Sequence, residues 1–442
     1  MTRLSVGYVS PLPPVRSGVA DYAAELLPEL ERLAEVTEVR AYAPEKADRA
    51  VAGGHDVLLF QIGNDPLHAP SVEALASPER RTPAVVVLHD FVLHHLFAAA
   101  YLDRGREDAY ARELERAHGE RGRALGEKAL AGLRFPVWDL APWTFPMSAG
   151  LIRDAQALIV HSRLVRGAVL RERPLSHVVE IPHHVVPAPR TPRDEARQAL
   201  GLPLDRAVAV SLGVVTPAKR IDVVLRALAA LPPSERPFLF VGGAVGLDDP
   251  LRDLVASLEL AGDVAFGGYL SDEDFWRAAS AADFAINLRH PTMGETSGAV
   301  CRLAGFGLPF VVSDTGWFRE LPDALAFKAP VGAREIEALA GAFSRLGIPE
   351  ERRRRSGAAR AWGEERSPAK TARRYSRVLQ DVVDGRAPSL ALRGLLATEL
   401  HALGVAGSGR LGAVSRAPDA RLLVEVGQAC EPLLPRERVS GA

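Results

Sequence analysis

Cysteine is nearly absent: Cys301 and Cys430 are the only two in 442 residues. That excludes a disulfide framework, and the expected compartment is a reducing cytoplasm. Long apolar runs are missing too. The longest, such as Ala84 to Leu88, are strand-sized and far below the ~20 residues of a membrane-spanning helix, so no integral membrane segment is expected. The opening "MTRLSVGYVSPLPP" lacks the apolar core of a secretory signal. Neither sign of charge dominates: 54 Lys+Arg face 55 Asp+Glu, for a net charge of -1, which points away from nucleic acid and other polyanions as partners. What remains is a chain with 47% hydrophobic and 25% charged residues, long enough for two domains of ordinary size and an appendage.

Short apolar runs alternate with amphipathic stretches. Leu4 to Val9, Glu38 to Tyr42, Asp56 to Gln61 and Ala84 to Leu88 read as strands, with a helix from about Asp21 to Leu33 after the first. This alternation predicts a parallel sheet covered by helices on both faces. Helix-rich sequence follows, then a helix near Met147 to Ala155, the strand "ALIVHS" and another short helix. "HVVEIPHHVVPAPRTPRD" carries four prolines and breaks the pattern, because proline fixes φ and favours extended chain; the domain boundary is placed near Pro187. Strands and helices then alternate again through "AVAVSLGVV", "PFLFVGGAVG", "DVAFGGYL" and "DFAINLR", before a long helical stretch from about Ile336 to Asp384. The expected α/β organisation is two doubly wound parallel-sheet domains, Rossmann-like and facing a central cleft. Residues 1–186 form an acceptor-side domain and 187–384 a nucleotide-sugar domain whose last helix can pack back on the first. Residues 385–442 form a helical tail of no assigned role.

Four turns place chemistry at strand ends, where such folds bind ligands. "SPLPPVRSGVADY" puts Ser17 and Gly18 at a helix N-terminus, where backbone amides can receive a phosphate or sugar; it is not the G-x-G-x-x-G fingerprint, and a plain turn is the alternative. "VVVLHDFVLHHL" puts His89 and Asp90 just past a buried strand. His94 and His95 follow as helix-packing residues, and the spacing is not that of a metal site. "SLGVVTPAKRIDVVLRAL" places Lys219 and Arg220 at a helix entrance, where cations are unfavourable unless an anion joins them. "GETSGAVCRLAGF" places the amides around Gly294, Thr296 and Gly298 at a second such entrance. A phosphate would be repelled by Glu295 there, so the turn suits a phosphate-linked sugar whose hydroxyls donate to the carboxylate.

The ordered series resembles the retaining GT-B glycosyltransferases, specifically glycosyltransferase family 4, over roughly Leu4 to Asp381. "PPVRSGVADYAAEL" is similar to the family's N-terminal glycine loop, "LGVVTPAKRIDVVLRAL" to its phosphate-binding turn and "GETSGAVCRLAGFGLPFVVSDTGWFREL" to its donor-binding segment. The resemblance implies that Gly18 approaches the donor phosphate with Ser17 beside it, and that His89 lies by the transferred sugar. Lys219 pairs with the diphosphate, accompanied by Gly213 and Arg220. Glu295 holds sugar hydroxyls, and Gly294, Thr296, Ser297 and Gly298 touch sugar and phosphate. Two positions depart from the pattern. Val214 stands where the family usually has arginine, and Arg289 is a candidate to supply that cation. Aligned on "LAGFGLP", the family's paired glutamates fall at Gly294 and Arg302; aligned on "ETSG", the first is Glu295 and the helix is one residue short. Arg302 replaces the second glutamate in either case.

The expected function is a metal-independent, retaining sugar transfer from a nucleotide-diphosphate donor, UDP- or GDP-linked, to a hydroxyl of a glycan, glycoconjugate or small molecule, with no further cofactor. The alternatives are a sugar-nucleotide epimerase or hydrolase on the same fold, and a non-catalytic GT-B protein that binds glycan or a partner. The first helix carries Glu25, Glu29 and Glu31, which disfavours anionic lipid. The run "ERRRRS" reads as a solvated helix face.

Overall fold

A computed structural model describes residues 4–33, 36–133, 135–244 and 249–385. The tail expected at 385–442 lies, but for Gly385, outside the described residues.

Among the described residues, twelve strands form two six-stranded sheets, parallel throughout. The first contains β1 (Leu4–Val9), β2 (Val36–Tyr42), β3 (Val57–Ile62), β4 (Ala84–Leu88), β5 (Ala157–Val160) and β6 (Val178–Glu180), in the order β2-β1-β3-β4-β5-β6. The second contains β7 (Val208–Leu212), β8 (Phe238–Gly242), β9 (Val264–Gly268), β10 (Phe284–Asn287), β11 (Phe310–Ser313) and β12 (Ala326–Ala329), in the order β12-β11-β10-β7-β8-β9. β3, β4, β5, β7, β10 and β11 are buried at every position. This is why they read as continuous Val, Ile, Leu and Phe runs without alternation.

In each sheet the winding direction reverses once, between β1 and β3 and between β7 and β10. Connections on either side of such a point leave in opposite directions and open a crevice at the carboxyl ends of the strands. The loops after β1, β7 and β10, at these reversals, and the loop after β4, the neighbour of β3, carry the candidate ligand residues.

The proline-rich segment contributes more than a linker. β6 lies inside it and pairs with β5, a strand hidden from sequence reading by its three-residue length. The stretch expected to be helical from Ile336 to Asp384 is three helices, Glu335–Gly347, Pro349–Glu364 and Pro368–Val383. The second and third each begin with proline, which lacks an N–H and suits the first helical position. The last helix returns to the first domain. Ala372, Tyr375, Val378, Leu379 and Val382 join Tyr22, Leu26 and the outer face of the first sheet in one core cluster, and the hydroxyls of Tyr22 and Tyr375 are 2.8 Å apart.

Candidate functional site

The first helix, Gly18–Glu31, begins directly after the loop that follows β1. Ser17 has extended backbone and caps the helix, its side chain accepting from Ala20 N at 3.1 Å. A Cβ added to Gly18 would meet nothing within 4 Å, so the remaining free amides of this helix end face open space, where an anion or a hydroxyl can use them.

Opposite lies the helix Gly298–Phe306. Ser297 caps it, accepting from Val300 N at 3.3 Å, and a Cβ on Gly298 would approach only His183 Nε2, at 3.7 Å. The turn before it is held by Glu295, whose Oε2 accepts from Met293 N at 2.6 Å and from Thr292 Oγ1 at 2.9 Å. Its Oε1 is 3.0 Å from Arg289 Nε, an ion pair whose N–H does not point along the contact. Gly294 has φ +84°, and a Cβ there would come within 2.9 Å of Phe91 Cβ in the other domain. Among the described residues, the buried Oγ1 of Thr296 has no partner.

At the end of β7 the chain turns through Gly213, φ +97°, and the Lys219 ammonium crosses it, 3.0 Å from where a Cβ would stand. Lys219 is 6% exposed and donates to Leu212 O at 2.7 Å. Burial, reinforced by Arg289, pulls its pKa down to about 7. Arg220, in the left-handed region at φ 53°, makes a two-point ion pair with Glu335 at 2.9 and 2.6 Å. The unfavourable cations at this helix entrance are thus met differently. Glu335 neutralises Arg220, whereas Lys219, among the described residues, donates to a carbonyl and meets no carboxylate.

The two domains touch beside Glu295. Phe91 N and Val92 N both donate to Met293 O, at 3.0 and 2.9 Å, and Trp143 Nε1 donates to Thr292 O at 2.7 Å. His89 and Glu295, expected from opposite domains, are brought to one end of the cleft by these bonds. His89 Nε2 is 2.7 Å from Gln61 Oε1, so Nε2 carries the proton and Nδ1 is free to accept. Desolvation and the neighbouring His161 and His183 hold its pKa well below the ordinary histidine value; it is neutral at physiological pH. Asp90 Oδ2 accepts from Asn64 N at 2.8 Å, and burial, with Glu295 adding repulsion, pushes its carboxyl up to about 7.

Because the folded protein keeps the Asp90 proton that the unfolded chain loses near pH 4, this group makes stability fall as pH rises from about 4 to about 7. Asp90→Asn is therefore expected to raise Tm more at pH 8 than at pH 5. Thermal unfolding of both proteins across that range checks this, and a shift independent of pH would contradict it.

Arg302 lies one turn into its helix. It is 3.2 Å from Glu25 of the first helix and 3.2 Å from Asp272, with its guanidinium 5.5 Å from the ring centres of both Phe275 and Trp276. Glu25 also holds His184 Nε2 at 2.8 Å. In the sequence Glu25 stands out only as a lipid-repelling charge, yet in the fold it is the first domain's half of an interdomain clasp. Sequence reading also missed Asn64, Trp143, Glu335 and the pair Arg16 and Tyr269, in which the guanidinium sits 4.3 Å over a ring that is 59% exposed. Only the exposed aromatic carries any local signal. His94 packs as expected, between Phe145 O at 2.8 Å and Tyr110 OH at 2.5 Å. Among the described residues no group of three or more His, Cys, Asp or Glu is arranged to hold a metal ion, and no helix is long and apolar enough to cross a membrane.

Residues 192–361 match the family model for glycosyl transferases group 1. The chain has the GT-B fold. Anabaena HepE, solved in complex with UDP and glucose, aligns with a TM-score of 0.57 and 15% identity over 86% of this chain and 100% of that one. A glycosyltransferase from Rickettsia africae aligns with a TM-score of 0.57 and 14% identity over 87% and 99%. By sequence, the D-inositol 3-phosphate glycosyltransferase of Streptomyces griseus is 32% identical over 213 residues, a match that spans 43% of each protein. The chain thus has the two-domain GT-B fold, with a match to the glycosyl transferases group 1 model over residues 192–361.

Proposed function

We propose that the chain transfers a sugar from a nucleoside diphosphate sugar to an acceptor hydroxyl, with retention of configuration and without a metal. The observation that carries this reading is the pair of helix N-termini, from Gly18 and from Gly298, opening from opposite domains onto one gap with Lys219, Arg289 and Glu295 at its edge. The donor diphosphate lies against the Gly298 helix end and Lys219, with Gly213 allowing close approach. Glu295 takes sugar hydroxyls, and Thr296 Oγ1 gains the partner it lacks. As the sugar–phosphate bond breaks, negative charge grows on the leaving diphosphate, and preorganised amides and cations in a site with little water stabilise it. The acceptor hydroxyl enters beside His89 Nδ1 and Asp90 and attacks on the face the diphosphate leaves, its proton passing to a phosphate oxygen. HepE was solved with UDP and glucose, which favours a UDP-linked hexose over a GDP-linked one as donor.

Thermal shift with UDP-, GDP-, ADP- and dTDP-sugars tests the donor, since ligand at ~100 Kd adds about 2.7 kcal/mol. Donor hydrolysis and transfer assays then separate transferase from hydrolase, and absence of stabilisation by every donor would overturn the reading. One observation favours the non-catalytic alternative: Val214 is 72% exposed beside Lys219, where an arginine would add a cation to the diphosphate.

Exhaustive chelation is expected to leave turnover unchanged, because cations and helix ends, not carboxylate-bound metal, face the diphosphate. Activity measured with and without chelator checks this; a loss reversed only by added Mg or Mn would count against it.

A further inference from the structure

A cavity of about 450 Å³ outside the cleft is lined by Pro182, Thr371, Glu365 and five cations: Arg366, Lys370, Arg373, Arg374 and Arg377. Four of the cations occupy the first ten residues of the return helix Pro368–Val383, whose first turn has no acidic residue. The spacing from 370 through 373 and 374 to 377 puts them on one helix face, where like charges repel. Lys370, in the first turn, also opposes the positive end of the helix dipole.

Elsewhere the chain pairs its arginines locally. On the preceding helix, Arg353 meets Glu350, while Arg354 and Arg355 meet Glu351. In the cavity, Lys370 and Arg374 donate instead to the backbone carbonyls of Glu364 and Glu180, which carry no net charge. Only Arg366 approaches a carboxylate, Glu365 at 3.6 Å, and among the described residues Lys370, Arg373, Arg374 and Arg377 make no ion pair within 4 Å. The opposite wall is Pro182, at the start of the segment that links the domains, so the cavity lies where both chain crossings meet.

We propose that this cavity is a second ligand site, which binds a phosphate-bearing small molecule at the interdomain crossing, independently of the donor site. A phosphate supplies the missing anion, satisfies the arginine forks two oxygens at a time, and relieves both the like-charge repulsion and the conflict with the helix dipole. The volume suits a compact phosphorylated molecule.

The test uses the full chain and inorganic pyrophosphate, followed by calorimetry. The double variant Arg373→Gln/Arg374→Gln is expected to weaken this binding by at least about tenfold, as loss of a charge-assisted contact does. Both side chains are exposed, so an unchanged Tm confirms an intact fold. Lys219→Ala, which alters the donor site, is expected to leave this binding in place; if the donor reading fails, the comparison still holds. Sedimentation with vesicles of phosphatidylglycerol or of phosphatidylcholine alone distinguishes the source. Pelleting by the former that depends on Arg373 and Arg374 assigns the phosphate to a lipid headgroup, and pyrophosphate binding that depends on the same two residues without pelleting assigns it to a soluble ligand. Pyrophosphate binding unchanged in the double variant, whatever Lys219→Ala does, or neither probe binding, would overturn the proposal.

Discussion

Glu295→Gln is expected to cut sugar transfer by about tenfold to a hundredfold while UDP affinity stays within about twofold. The range corresponds to one charge-assisted hydrogen bond, worth about 1.5 to 3 kcal/mol. The prediction follows from how the carboxylate is divided. Oε2 holds the turn through Met293 N and Thr292 Oγ1, and a glutamine oxygen can keep accepting those two bonds. Oε1 faces Arg289, and in the proposed complex it turns to the sugar; the glutamine nitrogen cannot accept there. Loss is thus expected in turnover on the sugar and not in the grip on the nucleotide. His89→Ala should behave in the same way, whereas Arg289→Ala should lose nucleotide affinity. Steady-state transfer kinetics, UDP calorimetry and Tm on each variant check this. A Glu295→Gln protein that transfers sugar at the parental rate would leave "GETSG" as a structural turn.

Lys219→Ala is expected to weaken UDP by about tenfold to a hundredfold and uridine by less than about threefold, because the ammonium meets phosphate and not base or ribose. A pH signature accompanies it. Lys219 has its pKa lowered to about 7 from the ordinary lysine value near 10.4, so in the free protein stability rises as pH increases from about 7 to about 10, the window in which the unfolded chain alone holds the proton. A diphosphate brings that proton back. At pH 8, UDP binding should take up protons, seen as a binding enthalpy that varies with the buffer's ionisation heat, and Lys219→Ala should abolish the uptake. Equal losses for UDP and uridine, or uptake that persists in the variant, would remove Lys219 from the diphosphate site.

The local signals and the structure meet in particular places. Buried strands such as Ala84–Leu88 were legible because a strand covered on both faces needs apolar residues throughout. The entry to the helix at Gly298 was legible because a capping serine, glycines and a following apolar stretch are needed to start it. β6 was not, since Val178–Glu180 is too short to show a period and sits among prolines. The breaks at Pro349 and Pro368 carried a readable signal, proline at a first helical position, that the long helical reading passed over.

The roles of charged residues divided more sharply. Sequence reading placed Lys219 and Arg220 together at a helix entrance and anticipated an anion for them. It had no means to assign Glu335 to Arg220, because that carboxylate arrives on a helix from a distant part of the chain. Arg302 is a similar case: the sequence shows only the absence of a glutamate, while the fold supplies Glu25 from one domain and Asp272 from the other.

By itself, then, the sequence determined the two parallel-sheet domains and the strand-end turns that bear Ser17, His89, Gly213, Lys219 and Glu295, because strand burial, helix capping and left-handed turns are set by residues a few positions apart. Tertiary structure alone decided that the 89–92 loop bonds to Met293, that Lys219 is left with a carbonyl while Arg220 is neutralised, and that Arg302 joins the domains. It also gathered the cations of the return helix around Pro182. Each of these depends on which distant groups come within a few ångströms and on how much water remains between them, and Coulomb energy and desolvation depend on those distances and that burial, not on spacing along the chain.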